Sequence, residues 1–189
     1  YTRVDRAETE RDAARRVNAE ATAHLARACA TWHAALTYVS TDYVFAGDAV
    51  DGYAEDAVRA PVNWYGETKA LGEEAVENLA PSWQIVRTSW LFGDGPANFV
   101  RTIRRLLGES ETLAVVDDQR GSPTYTVDLA ELLAWLAASD AVGHFHGTNA
   151  GVGTWYDLAR EVARCSGADP ERIRPCGTDA YPTPARRPA

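Results

Sequence analysis

Tyr65 and Lys69 stand four residues apart in the stretch "NWYGETKALGEEAVENL", which begins at Asn63. On a helix, residues at that spacing share a face, so the phenol and the ammonium are neighbours. Upstream, "STDYVF" (Ser40 to Phe45) lies where a short apolar run gives way to a turn-rich stretch. In doubly wound sheets, ligands bind at the carboxyl ends of strands, which places Thr41 and Asp42 at a ligand crevice. A hydroxyl, a phenol and an ammonium converging there form a proton-transfer set. Tyr65 is the acid, and the ammonium is expected to favour its phenolate form and draw its pKa down toward neutrality. The Thr41 hydroxyl can orient and polarise a substrate oxygen. Such a set suits reduction of a carbonyl, where hydride reaches carbon and a proton must reach oxygen. A tyrosine and a lysine at this spacing also arise by chance, the lysine merely snorkelling beside a half-buried ring. The strand-end context is what favours chemistry.

The elements that must hold these residues follow from periodicity. Residues from about Thr9 to His33 are alanine-rich with interspersed charge and predict an amphipathic helix. "AALTYVS" (Ala34 to Ser40) predicts a buried strand, and the helix of Tyr65 is closed by Pro81. "WQIVRTSW" predicts a second buried strand and "TLAVVDD" a third. "NFVRTIRRLLG" (Asn98 to Gly108) predicts a helix ended by glycine, and "VDLAELLAWLAAS" a further helix. "GHFHGTN" is a candidate strand. Thr154 is placed to cap "TWYDLAREVARCSG", with Asp157 three positions on and Gly167 at its end. Helices alternating with short apolar strands predict an α/β fold: a Rossmann-like doubly wound parallel sheet with a small C-terminal substrate-binding part. The expected division is residues 1–140, the later portion of a dinucleotide-binding domain with the catalytic helix, and 141–189, part of a substrate-binding region that interleaves with it.

Length and charge narrow the class. The 189 residues suit one domain with at most a small appendage. A formal charge of −8, from 27 acids against 19 bases, argues against a nucleic-acid binder. Cys29, Cys165 and Cys176 fit neither a disulfide framework nor a zinc pattern, so a reducing, cytoplasmic setting is expected. No apolar run approaches the roughly 20 residues of a membrane span. His144 and His146 share a strand face, but no carboxylate pattern accompanies them in the sequence, so they read as structural and no metal is expected.

The order Thr41, Tyr65, Lys69 on strand and helix resembles the extended short-chain dehydrogenase/reductase superfamily. The motifs "YTRVDRAETE", "STDYVF", "NWYGETKALGEEAV", "RTSWLFG", "NFVRTIRRL", "VVDDQRGSPTY", "TWYDLAR" and "YPTPARRPA" resemble its dTDP-4-dehydrorhamnose reductase family, in order and across nearly the whole chain. The resemblance implies an NADPH- or NADH-dependent reductase acting on a dTDP-linked 4-keto-6-deoxy sugar, with dTDP-L-rhamnose as the usual product. Carried over, Thr41, Tyr65 and Lys69 are the catalytic set, with Tyr65 protonating the C4 oxygen. Tyr65, Lys69 and Tyr1 would bind the cofactor. Thr41, Asp42, Trp90, Asn98 and Arg187 would bind the substrate, Asn98 and Arg187 by way of its phosphates. A plain helix cap for Asn98 and a solvated loop arginine for Arg187 are the competing readings. The resemblance also allows a homodimer.

Two departures stand out. Many members carry two asparagines before the phenylalanine of "NF", where this sequence has Ala97 and Asn98. No G-x-x-G-x-x-G unit to seat a pyrophosphate is present, so the sequence is expected to be part of a longer reductase and, alone, to bind nicotinamide weakly and expose an apolar strand edge. Two other functions stay open: a non-catalytic, nucleotide-binding relative, and a reductase of another dTDP-keto sugar, such as a streptose precursor.

Overall fold

The computed structural model describes residues 1–95 and 97–188. Residue 189, the last of the expected substrate-binding region, lies outside them. In chain order the helices are α1 (Val4–Ala7), α2 (Arg11–Arg15), α3 (Ala21–Trp32), α4 (Trp64–Leu79), α5 (Phe99–Glu109), α6 (Thr126–Ala137) and α7 (Trp155–Cys165). The strands are β1 (Ala35–Thr41), β2 (Ser82–Thr88), β3 (Leu91–Phe92), β4 (Leu113–Val116), β5 (Arg120–Gly121), β6 (Thr124–Tyr125), β7 (Gly143–His146), β8 (Gly153–Thr154) and β9 (Ile173–Cys176). They form two compact units that interleave along the chain. Residues 1–88, 130–147 and 183–188 make the first, and 89–129 with 148–182 the second. The expected boundary near residue 140 falls inside the first unit.

In the first unit, β1 and β2 run parallel in register from Ala35↔Ser82 to Thr41↔Thr88, and β2 runs parallel to β7. Parallel neighbours need a crossover, which α4 supplies between β1 and β2. One sheet face is sealed by Ala26 of α3, Val76 of α4, Ala80 and Ile85, with Leu36, Tyr38 and Trp83 packed around them. Gln84, the neighbour of Ile85 on the strand, faces the other side. Its Nε2 donates to the carbonyls of Leu136 in α6 (2.7 Å) and Ala141 (2.9 Å). Helices thus flank both faces of a parallel sheet, as the alternating pattern predicts.

Three details depart from the sequence reading. The predicted helix of residues 9–33 is broken by a π-helical turn at Arg16–Glu20 and ends on His33 in the left-handed region, at φ 52°. "TLAVVDD" does form a strand, β4, but it pairs in parallel with β9 in the second unit rather than joining the β1–β2–β7 sheet. And α5 runs through Gly108 to Glu109, because the Ser110 amide still bonds the Leu106 carbonyl at 2.9 Å.

The second unit packs α5 and α7 over β4 and β9 through buried Ile103, Leu107, Val115, Ala159, Val162, Ala163 and Ile173. The pairs β3–β6 (parallel) and β5–β8 (antiparallel) complete it. The start of α7 is a capping box as expected: Thr154 Oγ1 accepts from the Asp157 amide, and the Asp157 carboxylate accepts from the Thr154 amide.

Candidate active site

The site grows from the carboxyl end of β1. Thr41 ends the strand and caps a single turn at Asp42–Val44, its Oγ1 accepting from the Tyr43 amide at 3.2 Å. The same hydroxyl donates to Asp42 Oδ1 at 3.0 Å. Opposite this turn, α4 starts at Asn63, whose Oδ1 accepts from the Gly66 amide at 2.8 Å. A Cβ at residue 66 would stand 2.1 Å from the Tyr43 carbonyl oxygen, so only glycine lets the first turn of α4 press onto the β1 loop. That approach brings the Tyr65 phenol near enough to Thr41 for the threonine side chain to act on its acidity. The Tyr43 and Tyr65 rings meet edge-on with centroids 5.7 Å apart.

The electrostatics correct one expectation. Burial pushes the Tyr65 phenol up to about 12, against a downward pull from Thr41 and with a further push from Asp42. It is not drawn toward neutrality by Lys69. The ammonium is committed elsewhere: Nζ donates to the Val39 carbonyl at 2.7 Å and lies 3.8 Å over the Tyr38 ring. Burial lowers the Lys69 amine to about 8, with Glu73 acting in the other direction. Asp42 is raised to about 6 by burial, its bonds to Thr41 and to backbone amides opposing the shift. At neutral pH the phenol therefore holds its proton and is loaded as a donor.

The remaining sequence candidates divide by unit. Tyr1 lies in the first unit beside α4. Its carbonyl accepts from Asn18 Nδ2 (3.1 Å), which also donates to Thr68 Oγ1 (3.0 Å), whereas its phenol donates to Glu10 at 2.6 Å on the exposed side. Arg187 also belongs there. It donates to Asp5 Oδ2 at 2.9 Å, and its charge acts on the Tyr43 phenol. Asn63 Nδ2 ties the 183–188 segment to the start of α4 through the Arg186 carbonyl at 2.8 Å.

Trp90 and Asn98 belong to the second unit. Trp90 holds a left-handed backbone, φ 47°, and stacks on Trp155 with centroids 3.5 Å apart. A Cβ at residue 121 would stand 2.6 Å from the Trp90 indole, so Gly121 makes room for it. Asn98 caps α5, its Oδ1 accepting from the Arg101 amide (3.1 Å) and its Nδ2 donating to the Gly93 carbonyl (2.9 Å).

Folding brings carboxylates to His144 that its sequence neighbours do not show. Folding places Glu77 Oε1 2.9 Å from its Nε2, and ligand atoms of Glu73, Glu77 and His144 all fall within 4.8 Å of one another. Two guanidinium groups already hold these carboxylates. Arg87 grips Glu73 through Nε (3.1 Å) and Nη2 (2.7 Å), and Arg59 reaches Glu73 (3.1 Å) and Glu77 Oε2 (3.1 Å). Negative charge that a cation would need is thereby neutralised from within the chain.

The family described as RmlD substrate binding domain matches residues 1–189. The chain belongs to it. Among curated relatives, a dTDP-4-keto-6-deoxy-D-glucose reductase of Streptomyces niveus is 49% identical over 95% of the chain and 62% of its own length. A dTDP-4-dehydrorhamnose reductase of Mycolicibacterium smegmatis is 48% identical over 100% of the chain and 59% of its own length. A crystal structure of dTDP-4-dehydrorhamnose reductase from Bacillus anthracis in complex with NADP superposes with a TM-score of 0.95 at 41% identity, covering 100% of this chain and 66% of that one. The chain thus spans about three fifths of the length of the curated relatives it matches. The α/β fold with a parallel sheet is that of these Rossmann-like reductases. Among the described residues no helix is long and apolar enough to cross a membrane.

Sequence reasoning missed Tyr38, Asn18 and the Arg87–Glu73–Arg59 group. For Tyr38 a signal existed: a phenol inside the otherwise apolar strand "ALTYVS" must find a polar partner. The ion pairs join a strand, a loop and a helix, and no local pattern announces them.

Proposed function

We propose that the chain carries the proton-donating part of an NADPH- or NADH-dependent reductase that converts the C4 ketone of a dTDP-4-keto-6-deoxy sugar to an alcohol, with dTDP-4-dehydrorhamnose as the substrate. The observation that carries the reading is the close packing of the start of α4, with Tyr65, onto the loop that follows Thr41 at the carboxyl end of β1, with Lys69 one helical turn beyond. The residues fit a nicotinamide cofactor in donor chemistry. Lys69 has one carbonyl and one aromatic face as partners, so N–H donors remain for ribose hydroxyls, and the buried Ser40 and Thr88 hydroxyls have no hydrogen-bond partner among the described residues. When bound, the reduced nicotinamide supplies hydride to the carbonyl carbon.

The rest is the work of this chain. Tyr65, protonated at neutral pH, gives its proton to the oxygen on which negative charge develops. Thr41 orients that oxygen and the phenol together, and Lys69 keeps its remaining N–H donors for the ribose hydroxyls. Trp90 and Arg187 are proposed substrate contacts, for the sugar and the diphosphate respectively. The dinucleotide-binding and substrate-binding roles expected for the two parts of the chain belong to the same proposal, as do a homodimer and a cytoplasmic setting. The three unpaired cysteines fit a reducing compartment.

The Streptomyces niveus relative, as similar as the rhamnose-pathway one, favours a second reading in which the ketone is that of dTDP-4-keto-6-deoxy-D-glucose. Oxidation of NADPH and NADH, followed with each of the two keto sugars, tests both. Turnover with one identifies the substrate, and no turnover with either removes the reductase reading.

A further inference from the structure

Lys69 is the single lysine among 19 lysine and arginine residues. Every other side-chain cation of that kind is a guanidinium, so this position has been given a compact, deprotonable amine. The amine is buried, and the nearest acid on its helix, Glu73, is held by Arg87 and Arg59. What seats it instead is Tyr38.

The surroundings of Tyr38 come from four elements. Its ring lies under the ammonium at 3.8 Å, while the carbonyl of the next residue on β1, Val39, accepts from Nζ at 2.7 Å. Its hydroxyl donates to the Asn18 carbonyl at 3.1 Å. Asn18 sits in the π-helical turn, where the i→i+5 pattern displaces carbonyls from the ordinary ladder, and the same carbonyl also accepts from Thr22 Oγ1 at 2.9 Å. Asn18 reaches α4 as well, through Thr68, the residue before Lys69. Finally, a Cβ at Gly72 would stand 2.3 Å from the Tyr38 hydroxyl and 2.4 Å from the Asn18 oxygen. The helix interruption, the strand phenol and the missing side chain on α4 therefore meet at one point.

We infer that Tyr38 is a positioning residue for Lys69: its ring seats the ammonium, and the Asn18 carbonyl of the π-turn pins the ring in place. That this seating serves catalysis rests on the reductase reading. The seating itself is readable without turnover. Protein labelled with 13C,15N-lysine gives one side-chain spin system, because there is one lysine. In the wild type, the Hε resonances are expected upfield of their ordinary position, shifted by the ring current. Tyr38→Phe keeps the ring but loses its bond to the Asn18 carbonyl, so the shift stays upfield and shrinks. Tyr38→Leu abolishes it and, at similar burial, lowers the amine pKa by on the order of one unit, because the ring face favours the cation.

An unshifted Hε in the wild type overturns the inference, as does a Tyr38→Leu amine that titrates as in the wild type. Should Tyr38→Leu not fold, the wild-type and Tyr38→Phe spectra decide. A shifted Hε and a lowered Tyr38→Leu pKa in protein that reduces no keto sugar would establish the seating and overturn the reductase reading alone.

Discussion

Lys69 and Glu73 are both buried, carry opposite charges and lie one turn apart on α4, yet their environments have nothing in common. Glu73 is fully enclosed and clasped by two guanidinium groups. Its charge is cancelled, its oxygens are bonded, and β2, α4 and the loop carrying Arg59 are joined through it. Lys69 has a carbonyl, a ring and no ion pair among the described residues. Burial costs are similar in kind for both, so the difference lies in what offsets them. A satisfied charge fixes geometry. A charge left short of partners keeps its capacity for something that arrives later. Under the proposed function, one helix separates scaffold from chemistry by four residues.

The largest expected effect tests the chemical side. Tyr65→Phe keeps the ring and removes the proton, and should lower kcat by about 10²–10⁴-fold with little change in KM. Near-wild-type turnover in steady-state assays would end the acid assignment. Glu73→Gln tests the scaffold side. It strands Arg87, which is 2% exposed, beside a neutral amide, and should cost about 3–5 kcal/mol in urea denaturation. A loss below about 1 kcal/mol would mean that the pair is not holding α4 to β2.

A smaller effect comes from pH. The Lys69 amine is lowered to about 8 from an ordinary value of 10.5. Between those values the unfolded chain binds the proton and the folded chain does not, so this residue makes stability rise with pH across that window. Its contribution is complete above 10.5 and is lost as pH falls through 8. The stability difference between wild type and Lys69→Met should therefore change in favour of wild type from pH 8 to 10, and a flat difference would contradict the buried amine. The smallest effect sharpens the contrast most. At pH 7, Lys69→Met should be no less stable than wild type, since a buried ammonium is removed and no buried carboxylate is orphaned, while turnover collapses. A loss like that of Glu73→Gln would place Lys69 in the scaffold too.

The sequence showed β1, β2, α4 and the Thr154 capping box clearly, because each is written in local periodicity or in a side chain bonding three residues away. It also aligned Thr41, Tyr65 and Lys69 by strand end and helix face. It did not show β9, where "IRPC" sets an arginine and a proline between its two apolar ends. Nor did it show that β4 pairs with β9 rather than with the β1–β2–β7 sheet, because pairing depends on contacts about 60 residues apart in the chain. The phenol pKa was misread for a related reason. Spacing on a helix says that Lys69 shares a face with Tyr65, but not that Val39 and Tyr38 on the neighbouring strand claim the ammonium first.

The solitary lysine has a consequence for handling the protein. An endoproteinase that cleaves only after lysine has a single target bond, and that bond lies inside α4 next to buried Thr68, Lys69 and Ala70. Such a bond is cut only when the helix opens locally. The appearance of one nick thus becomes a clock for the opening of the segment that carries Tyr65, and any small molecule that settles against that segment should slow the clock in proportion to its occupancy.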